Sequence, residues 1–116
     1  MNQADCIFCK IAGKKIPSKI VFEDDEVMAF EDINPKAPLH LLVIPKRHIE
    51  KVSDIADSDA GLMGKLVLTA RDLARKNGLN DSGYRIVLNC NRDAGQEVFH
   101  IHLHLLGGRK FTWPPG

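Results

Sequence analysis

The sequence lacks the features that define several large classes of protein. Its 16 basic and 15 acidic residues leave a formal net charge of +1, so we expect no polycationic surface for nucleic acids or membranes. No apolar run approaches the ~20 residues that a transmembrane helix needs, and no signal segment is expected. Three cysteines, an odd number, argue against a disulfide framework. These absences predict a cytoplasmic protein that binds neither nucleic acid nor a membrane.

The length and the residue pattern predict a single α+β domain over residues 1–116. The chain is 44% hydrophobic and 27% charged, which is an ordinary globular composition. An apolar stripe at three- and four-residue spacing predicts one long helix, and Asp5 is a candidate cap for a short one. Short β-rich runs between turn residues predict an antiparallel sheet of about five strands. The predicted helices span residues 6–12 and 58–76, and the predicted strands span 19–22, 27–30, 39–44, 84–90 and 98–106.

Alternating histidines near the end of the chain are the strongest functional signal. On a strand, His100, His102 and His104 would lie on one face about 6.5–7 Å apart, and the apolar residues between them would enter the core. Three neighbouring imidazoles oppose one another's protonation, so such a row is typical of a functional site. Two chemistries suit the row, namely metal binding and acid–base or nucleophilic catalysis.

Polar residues upstream of the histidines favour catalysis. Asn89, Gly95 and Gln96 supply neutral polar groups and a permissive backbone, which suit an anion held by N–H donors. No carboxylate alternates with the histidines, although Glu97 is close. We therefore favour nucleophilic chemistry at a phosphorus centre over a catalytic metal, and we expect no catalytic cofactor.

Residues 95–109 read Gly-Gln-Glu-Val-Phe-His-Ile-His-Leu-His-Leu-Leu-Gly-Gly-Arg and resemble the signature of the histidine triad (HIT) superfamily. The likeness covers nearly the whole chain, and the ending Trp-Pro-Pro-Gly is similar to that of the histidine triad nucleotide-binding (Hint) branch. The resemblance implies a HIT-like α+β fold and a homodimer, with the sheet extended across the two chains. The tail at 111–116 would then reach the partner active site, where Trp113 would contact substrate.

The same resemblance implies a purine nucleoside phosphoramidase. His102 would attack the α-phosphorus of an adenosine or guanosine 5′-phosphoramidate, and water would release AMP or GMP from the nucleotidyl-histidine. His104 would contact the phosphate and the leaving group with help from His40, and His100 would orient the row. Two alternatives remain open, namely a dinucleoside polyphosphate hydrolase of the same superfamily and a nucleotide-binding regulatory module with little catalysis.

The resemblance also implies the residues that bind the nucleotide. Asp32 would accept hydrogen bonds from the ribose hydroxyls. Phosphate or ribose contacts would come from Asn89 and Gln96 with the backbone at Glu97 and Val98. Glu97 departs from the pattern, because some family members carry a serine there. The base pocket would be lined by apolar side chains, which are Ile7, Phe8, Phe30, Ile33 and Leu42.

A cysteine pair near the start of the chain suggests a metal site. Cys6 and Cys9 have the two-residue spacing of a zinc half-site, and His48 follows a Pro-Lys-Arg segment. In zinc-binding members of the superfamily such a pair joins two histidines, so the resemblance implies a structural zinc held by Cys6, Cys9, His48 and His100. The alternative is that both cysteines only pack in the core. Cys90 is expected to be a core residue without a partner.

Overall fold

A computed structural model describes residues 5–116 of the chain, and within them it has one antiparallel sheet, one long helix and one short helix. The helices are α1 (Ile7–Ala12) and α2 (Ala60–Lys76). The strands are β1 (Ile20–Glu23), β2 (Val27–Glu31), β3 (Leu39–Pro45), β4 (Tyr84–Val87) and β5 (Leu103–Gly107). They form a five-stranded sheet in the order β1-β2-β3-β5-β4, which confirms the predicted α+β class. Neither helix has the length and apolar content that would let it cross a membrane.

The sheet is covered on both faces, which explains why its central strands read as nearly continuous apolar runs. Successive side chains of a strand point to opposite faces, so β3 supplies apolar residues to two separate clusters. The cluster on the α2 face includes Val27, Ala29, Leu41, Val43, Leu66, Ala70, Leu73, Leu103 and Leu105. The cluster on the α1 face includes Cys6, Phe8, Ile11, Met28, Phe30, Leu42 and Ile44.

Both helices begin slightly later than the sequence predicts. Cys6, not Asp5, is the N-cap of α1, because its sulfur accepts a hydrogen bond from the Cys9 amide at 3.3 Å. Residues 57–59 form a 3-10 turn before α2, so the long helix starts at Ala60. Its C-terminal end agrees with the prediction, since Asn77 is the C-cap and Gly78 follows with a left-handed φ of 74°.

The last two strands are shorter than predicted, and this changes the position of the histidines. The prediction of one strand over 98–106 is wrong at its start, because β5 begins at Leu103. Likewise β4 ends at Val87 and not at residue 90. The amide of Ile101 donates to the Ile49 carbonyl at 2.7 Å, so this segment bonds to the loop before α2. Of the three alternating histidines, only His104 lies on a regular strand.

Gln96 holds the loop that leads into this segment. Its side-chain oxygen accepts from the Asn91 amide at 2.8 Å, and its NH2 group donates to the carbonyls of Glu50 at 2.7 Å and Val98 at 3.1 Å. The side chain is buried. Both of its N–H donors therefore have backbone partners, whereas its oxygen keeps a second lone pair, so the contact of Gln96 with a phosphate or ribose stays a prediction.

Replacing Gln96 by alanine should lower the free energy of unfolding by about 1–3 kcal/mol, because the buried backbone groups lose their partners. Chemical denaturation of the two proteins measures this difference. The neighbouring Glu97→Gln variant is the control, since Glu97 is exposed and its replacement should change stability by less than about 0.5 kcal/mol. An equally small effect of Gln96→Ala would contradict the structural role.

Candidate active site

β3 and β5 bring two histidines from distant parts of the chain into contact. Leu42 pairs with His104 across the two strands, and His40 lies two residues before Leu42 on the same face of β3. The His40 Nε2 atom is 2.9 Å from the His104 Nδ1 atom. The ring of His102 lies beside that of His104, with 4.9 Å between ring centroids and 60° between the ring planes. Three imidazoles therefore form one continuous group beside the central strands of the sheet.

The backbone determines which nitrogen of His40 carries the proton. The Lys36 amide donates to the His40 Nδ1 atom at 3.0 Å. Because an amide N–H can only donate, Nδ1 must be the acceptor and the proton of neutral His40 lies on Nε2. This Nε2–H faces the His104 Nδ1 atom and, at 3.3 Å, the Asp32 Oδ2 atom. Burial lowers the pKa of His40, and the Asp32 charge opposes this shift.

The proton on His40 in turn orients His104. Since His104 accepts at Nδ1, its own proton lies on Nε2, where it can be donated to a bound group. Burial, followed by the neighbouring His102 and His40 rings, lowers the pKa of His104 to about 4. His104 is therefore a neutral imidazole near pH 7 with a donor N–H.

His102 has the opposite arrangement, which is the one a nucleophile requires. Its Nδ1–H donates to the carbonyl of His100 at 2.8 Å, so the lone pair lies on Nε2. The ring is buried, and burial lowers the pKa of His102, an effect that the His100 carbonyl and the charges of Asp32 and Glu97 oppose. Neutral His102 thus has an available lone pair beside the donor of His104.

The ring of His100 turns away from this group, contrary to the prediction that all three histidines lie on one face of a strand. His100 is fully buried. Its Nδ1 atom lies 3.4 Å from the Cys6 sulfur, 3.5 Å from the Cys9 sulfur and 3.2 Å from the His48 Nδ1 atom. The Cys9 sulfur is also 3.3 Å from the His48 Nδ1 atom. All four donor atoms lie within 4.8 Å of one another.

The donor atoms of this cluster suit a zinc ion. The His100 Nε2–H donates to the Pro45 carbonyl at 2.8 Å, which leaves the lone pair of Nδ1 pointing at the sulfurs. The Nδ1 lone pairs of two imidazoles at 3.2 Å repel each other unless a cation or a proton lies between them. Two sulfur and two nitrogen ligands form a coordinatively closed tetrahedral set. The cluster therefore fits a structural ion better than a catalytic one.

A second group of possible ligands, formed by Asp32, His40 and His104, is less suited to a metal. A metal at His40 Nε2 would displace its proton, and Nδ1 cannot take that proton while it faces the Lys36 amide. Asp32 is also engaged, because its Oδ1 atom accepts from the Asn34 amide at 2.8 Å. This group is better suited to hold and pass protons.

The predicted base-pocket residues divide into two groups. Phe8, Phe30 and Leu42 are buried in the α1-side cluster, and the Phe8 ring lies 5.0 Å from the His102 ring. Ile7 and Ile33 are instead exposed, by 44% and 92%. The structure thus buries Phe8, Phe30 and Leu42 on the side of the sheet that carries the histidines. It leaves Ile7 and Ile33 on the surface.

The other predicted contact residues lie in loops, outside the regular helices and strands. Asn89 and Val98 are half-buried and Glu97 is exposed. Gly95 has a left-handed φ of 82°, a conformation that favours glycine. Trp113 is 82% exposed. The prediction for Cys90 is wrong, since it is half-buried and its sulfur contacts the Ser53 hydroxyl at 3.3 Å.

Sequence reasoning missed the backbone groups that orient the rings, which are the Lys36 amide and the carbonyls of Pro45 and His100. Every residue has a carbonyl and nearly every residue an amide N–H, so residue types cannot distinguish these positions. The proline-rich loop at 34–38 was a weak signal, because it implied irregular backbone with unpaired donors close to His40.

Comparison with known proteins identifies the family and agrees with the fold. The HIT domain family model matches residues 13–111. A HIT family hydrolase from Legionella pneumophila Philadelphia 1 is 54% identical, with a TM-score of 0.95, covering 97% of this chain and 100% of that one. A histidine triad nucleotide-binding protein from Candida albicans is 33% identical, with a TM-score of 0.81 and coverage of 95% and 83%. A Zn-bound histidine triad family protein from Mycobacterium smegmatis is 33% identical, with a TM-score of 0.79 and coverage of 93% and 78%.

The lowered pKa of His104 predicts a loss of stability in mild acid. The imidazole has a pKa of about 4 in the folded chain against 6.5 ordinarily, so the unfolded chain binds more protons between these values. The free energy of unfolding should therefore fall as the pH falls from about 6.5 to about 4, and should fall less in a His104→Asn variant. Denaturant titrations at several pH values measure both slopes, and equal slopes would contradict the prediction.

Proposed function

Because this chain belongs to the HIT domain family, we propose that it is a hydrolase that acts on nucleoside 5′-phosphoramidates of the purine series. The observation that carries the proposal is the arrangement of His102, whose Nδ1–H is bound to the His100 carbonyl and whose Nε2 lone pair is beside His104. The naming of the Legionella relative as a hydrolase and of the Candida relative as nucleotide-binding supports the same class of reaction. We also propose that it belongs to the Hint branch, on the similarity of its ending.

In the proposed first step, the His102 Nε2 atom attacks the α-phosphorus and the phosphorus–nitrogen bond to the amine breaks. The amine takes the Nε2 proton of His104 as it leaves, while the His40 Nε2 proton moves to the His104 Nδ1 atom and solvent supplies the proton that keeps His40 neutral. The nucleotidyl group then rests on the His102 Nε2 atom, while Nδ1–H remains bound to the carbonyl. That hydrogen bond stabilises the positive charge that the ring gains on phosphorylation.

In the second step, water attacks the same phosphorus and the bond to His102 breaks. His104, which now carries its proton on Nδ1, can accept the water proton at Nε2 and release the extra proton to solvent, so one residue acts first as acid and then as base. The products are a nucleoside monophosphate and the original neutral His102. Fixed N–H donors near the phosphate would stabilise the charge that develops on its oxygens.

We propose that the nucleotide occupies the surface between α1 and the loop after β2. Asp32 would bind the ribose with the carboxylate that now contacts His40, and the buried Phe8, Phe30 and Leu42 would form the floor beneath the base. The exposed Ile7 and Ile33 would close over it. Phosphate or ribose contacts at Asn89, Gly95, Gln96, Glu97 and Val98 stay predictions. The charge of Glu97 reaches His102, so it favours a cationic leaving amine over an anionic one.

We further propose a homodimer. β4 is an edge strand of the sheet, and the exposed apolar side chains nearby offer a surface that a second copy would cover, namely Val67, Leu68, Ile86 and Leu88. Pairing two such edges would extend the sheet across the dimer. Trp113 on the tail at 111–116 would then reach the partner's active site. The cytoplasmic location stays a prediction.

We also propose that the cluster of Cys6, Cys9, His48 and His100 holds a structural zinc ion. The described geometry of the four donor atoms and the Zn-bound relative from Mycobacterium smegmatis support this. When bound, zinc would supply a rigid link and no catalytic step. The link would join α1 to the segment that carries His102.

Replacing His102 by asparagine should lower kcat on adenosine 5′-phosphoramidate on the order of 10³-fold or more, because the nucleophile is lost. Product assays measure turnover, and mass spectrometry of the acid-quenched wild type should detect the nucleotidyl adduct. The Arg92→Ala variant is the control, since that side chain is 93% exposed. Turnover that survives in His102→Asn would overturn the proposal.

The same assay separates the two alternatives. Faster hydrolysis of a dinucleoside polyphosphate than of the phosphoramidate would indicate a dinucleoside polyphosphate hydrolase. Stabilisation of the wild type by AMP in thermal denaturation, without turnover of either substrate, would favour the nucleotide-binding module.

The purified protein should contain about one zinc ion per chain, because four ligands form a closed site. Replacing Cys9 by serine should lower both the zinc content, measured by elemental analysis, and the melting temperature. Cys90→Ser is the matched control, because Cys90 lies outside the cluster and its replacement should leave the zinc content unchanged. Equal zinc contents in Cys9→Ser and the wild type would contradict the site.

A further inference from the structure

The segment after β5 packs closely against the loop that precedes β3. Gly108 has a φ of 91°, and a Cβ atom at this position would lie 2.9 Å from the Cβ atom of Pro38. Real Cβ atoms do not approach so closely, so glycine is required here both for its conformation and for the contact. The close approach brings the next residue, Arg109, to the carbonyl of Lys36.

Arg109 binds that carbonyl with two donors. Its Nε atom lies 3.2 Å and its Nη2 atom 3.0 Å from the Lys36 oxygen. The guanidinium also lies over the ring of Phe111, 4.3 Å from its centroid. Stacking on Phe111 restricts the orientation of the guanidinium, so both donors stay directed at one acceptor.

The same residue, Lys36, donates its amide to His40. Its carbonyl and its amide lie on either side of one Cα atom, so a fixed carbonyl limits the directions in which the amide N–H can point. That N–H faces the His40 Nδ1 atom at 3.0 Å. While the Lys36 N–H points at the His40 Nδ1 atom, that nitrogen cannot bind a proton, so the ring carries one proton, on Nε2.

We propose that Arg109 is a positioning residue that, through the Lys36 backbone, keeps His40 neutral with its proton on Nε2. His40 then donates to the His104 Nδ1 atom and leaves the His104 Nε2–H available for the leaving amine. The catalytic consequence rests on the proposed function, whereas the proton position of His40 does not. Arg109 is exposed, so a change of its side chain removes these contacts without opening the core.

Several charged groups around His40 determine how its protonation changes once this contact is lost. Asp32 on the loop after β2 favours a second proton on His40, whereas the Lys36 side chain disfavours it. His104 on β5 faces the Nε2 atom. Once the Lys36 amide is free to turn away, Nδ1 can take a proton and the Asp32 charge stabilises the resulting imidazolium.

Arg85 provides a matched control. Its guanidinium also lies over the Phe111 ring, at 5.1 Å, and its Nη2 atom donates to the Thr112 carbonyl at 3.0 Å. Arg85 therefore contacts the same tail as Arg109. Among the contacts described, it does not bind the Lys36 carbonyl. Replacing it tests whether loss of tail packing alone affects His40.

The experiment measures the nitrogen shifts of His40 by NMR in the full-length, zinc-loaded protein labelled with 15N-histidine, across a pH titration. The wild type and Arg85→Leu should keep His40 neutral with its proton on Nε2 into mild acid. In Arg109→Leu, Nδ1 should take a proton at a pH about one unit higher, and Arg109→Lys should show a smaller shift, since lysine retains a single donor group. The pH at which kcat falls on the acidic side of its pH profile should rise by the same amount.

Two results would overturn the proposal. One is a His40 titration in Arg109→Leu that matches the wild type, and the other is an equal shift in Arg85→Leu, which would assign the effect to the tail as a whole. A wild type that turns over no phosphoramidate would refute the proposed function instead. The NMR titration would still decide the role of Arg109 in that case.

Discussion

The antiparallel pairing of β3 with β5 is the constraint on which the candidate site depends. It aligns Leu42 with His104 and His40 with Leu106, so that His40 and His104 project from one face and meet at 2.9 Å. Both strands are central in the sheet; β3 supplies residues to the apolar clusters on both faces, and β5 supplies Leu103 and Leu105 to the cluster on the α2 face. A shift of register by one residue would exchange the two faces and bury the imidazoles among leucines. The apolar core therefore fixes the register that holds the two rings together.

Peptide groups determine where the protons of His40, His100 and His102 lie, and His40 in turn determines where the proton of His104 lies. The Lys36 amide, the His100 carbonyl and the Pro45 carbonyl each bind one ring nitrogen. A peptide group does not ionise near neutral pH and cannot reverse its hydrogen-bonding role, unlike a carboxylate or a second imidazole. The rings can thus take different roles, although they are chemically identical and close in sequence or in space. His102 offers a lone pair to a bound group, His104 offers an N–H donor, and His100 offers a lone pair to the cluster of Cys6, Cys9 and His48.

His100 connects the two parts of the site. Its ring belongs to the cluster with Cys6, Cys9 and His48, while its carbonyl accepts the Nδ1–H of His102. An ion in the cluster would therefore also restrict the backbone that orients the neighbouring ring. This arrangement explains how a buried, coordinatively closed cluster can matter for chemistry without contacting a substrate. A bound ion would also restrain the irregular segment before β5, which strand pairing does not hold.

Much of the fold could be read from local patterns, because periodicity, caps and turn residues act over a few residues. The apolar stripe predicted α2 nearly to its ends, and the short β-rich runs predicted the five strands. The alternation of histidines marked the site. The sequence did not predict that β5 begins only at Leu103 or that Gln96 bonds to Glu50. Those features depend on partners distant in the chain, which local patterns do not specify.

The amino-acid sequence by itself determined the class of fold, the family and the residue types that can carry the chemistry, since each follows from local pattern or from close resemblance. Only the tertiary structure decided which nitrogen of each histidine is available and which ring leaves the row for the sulfur cluster. The reason is physical, because these properties depend on the direction of single hydrogen bonds to the backbone and on contacts with distant segments.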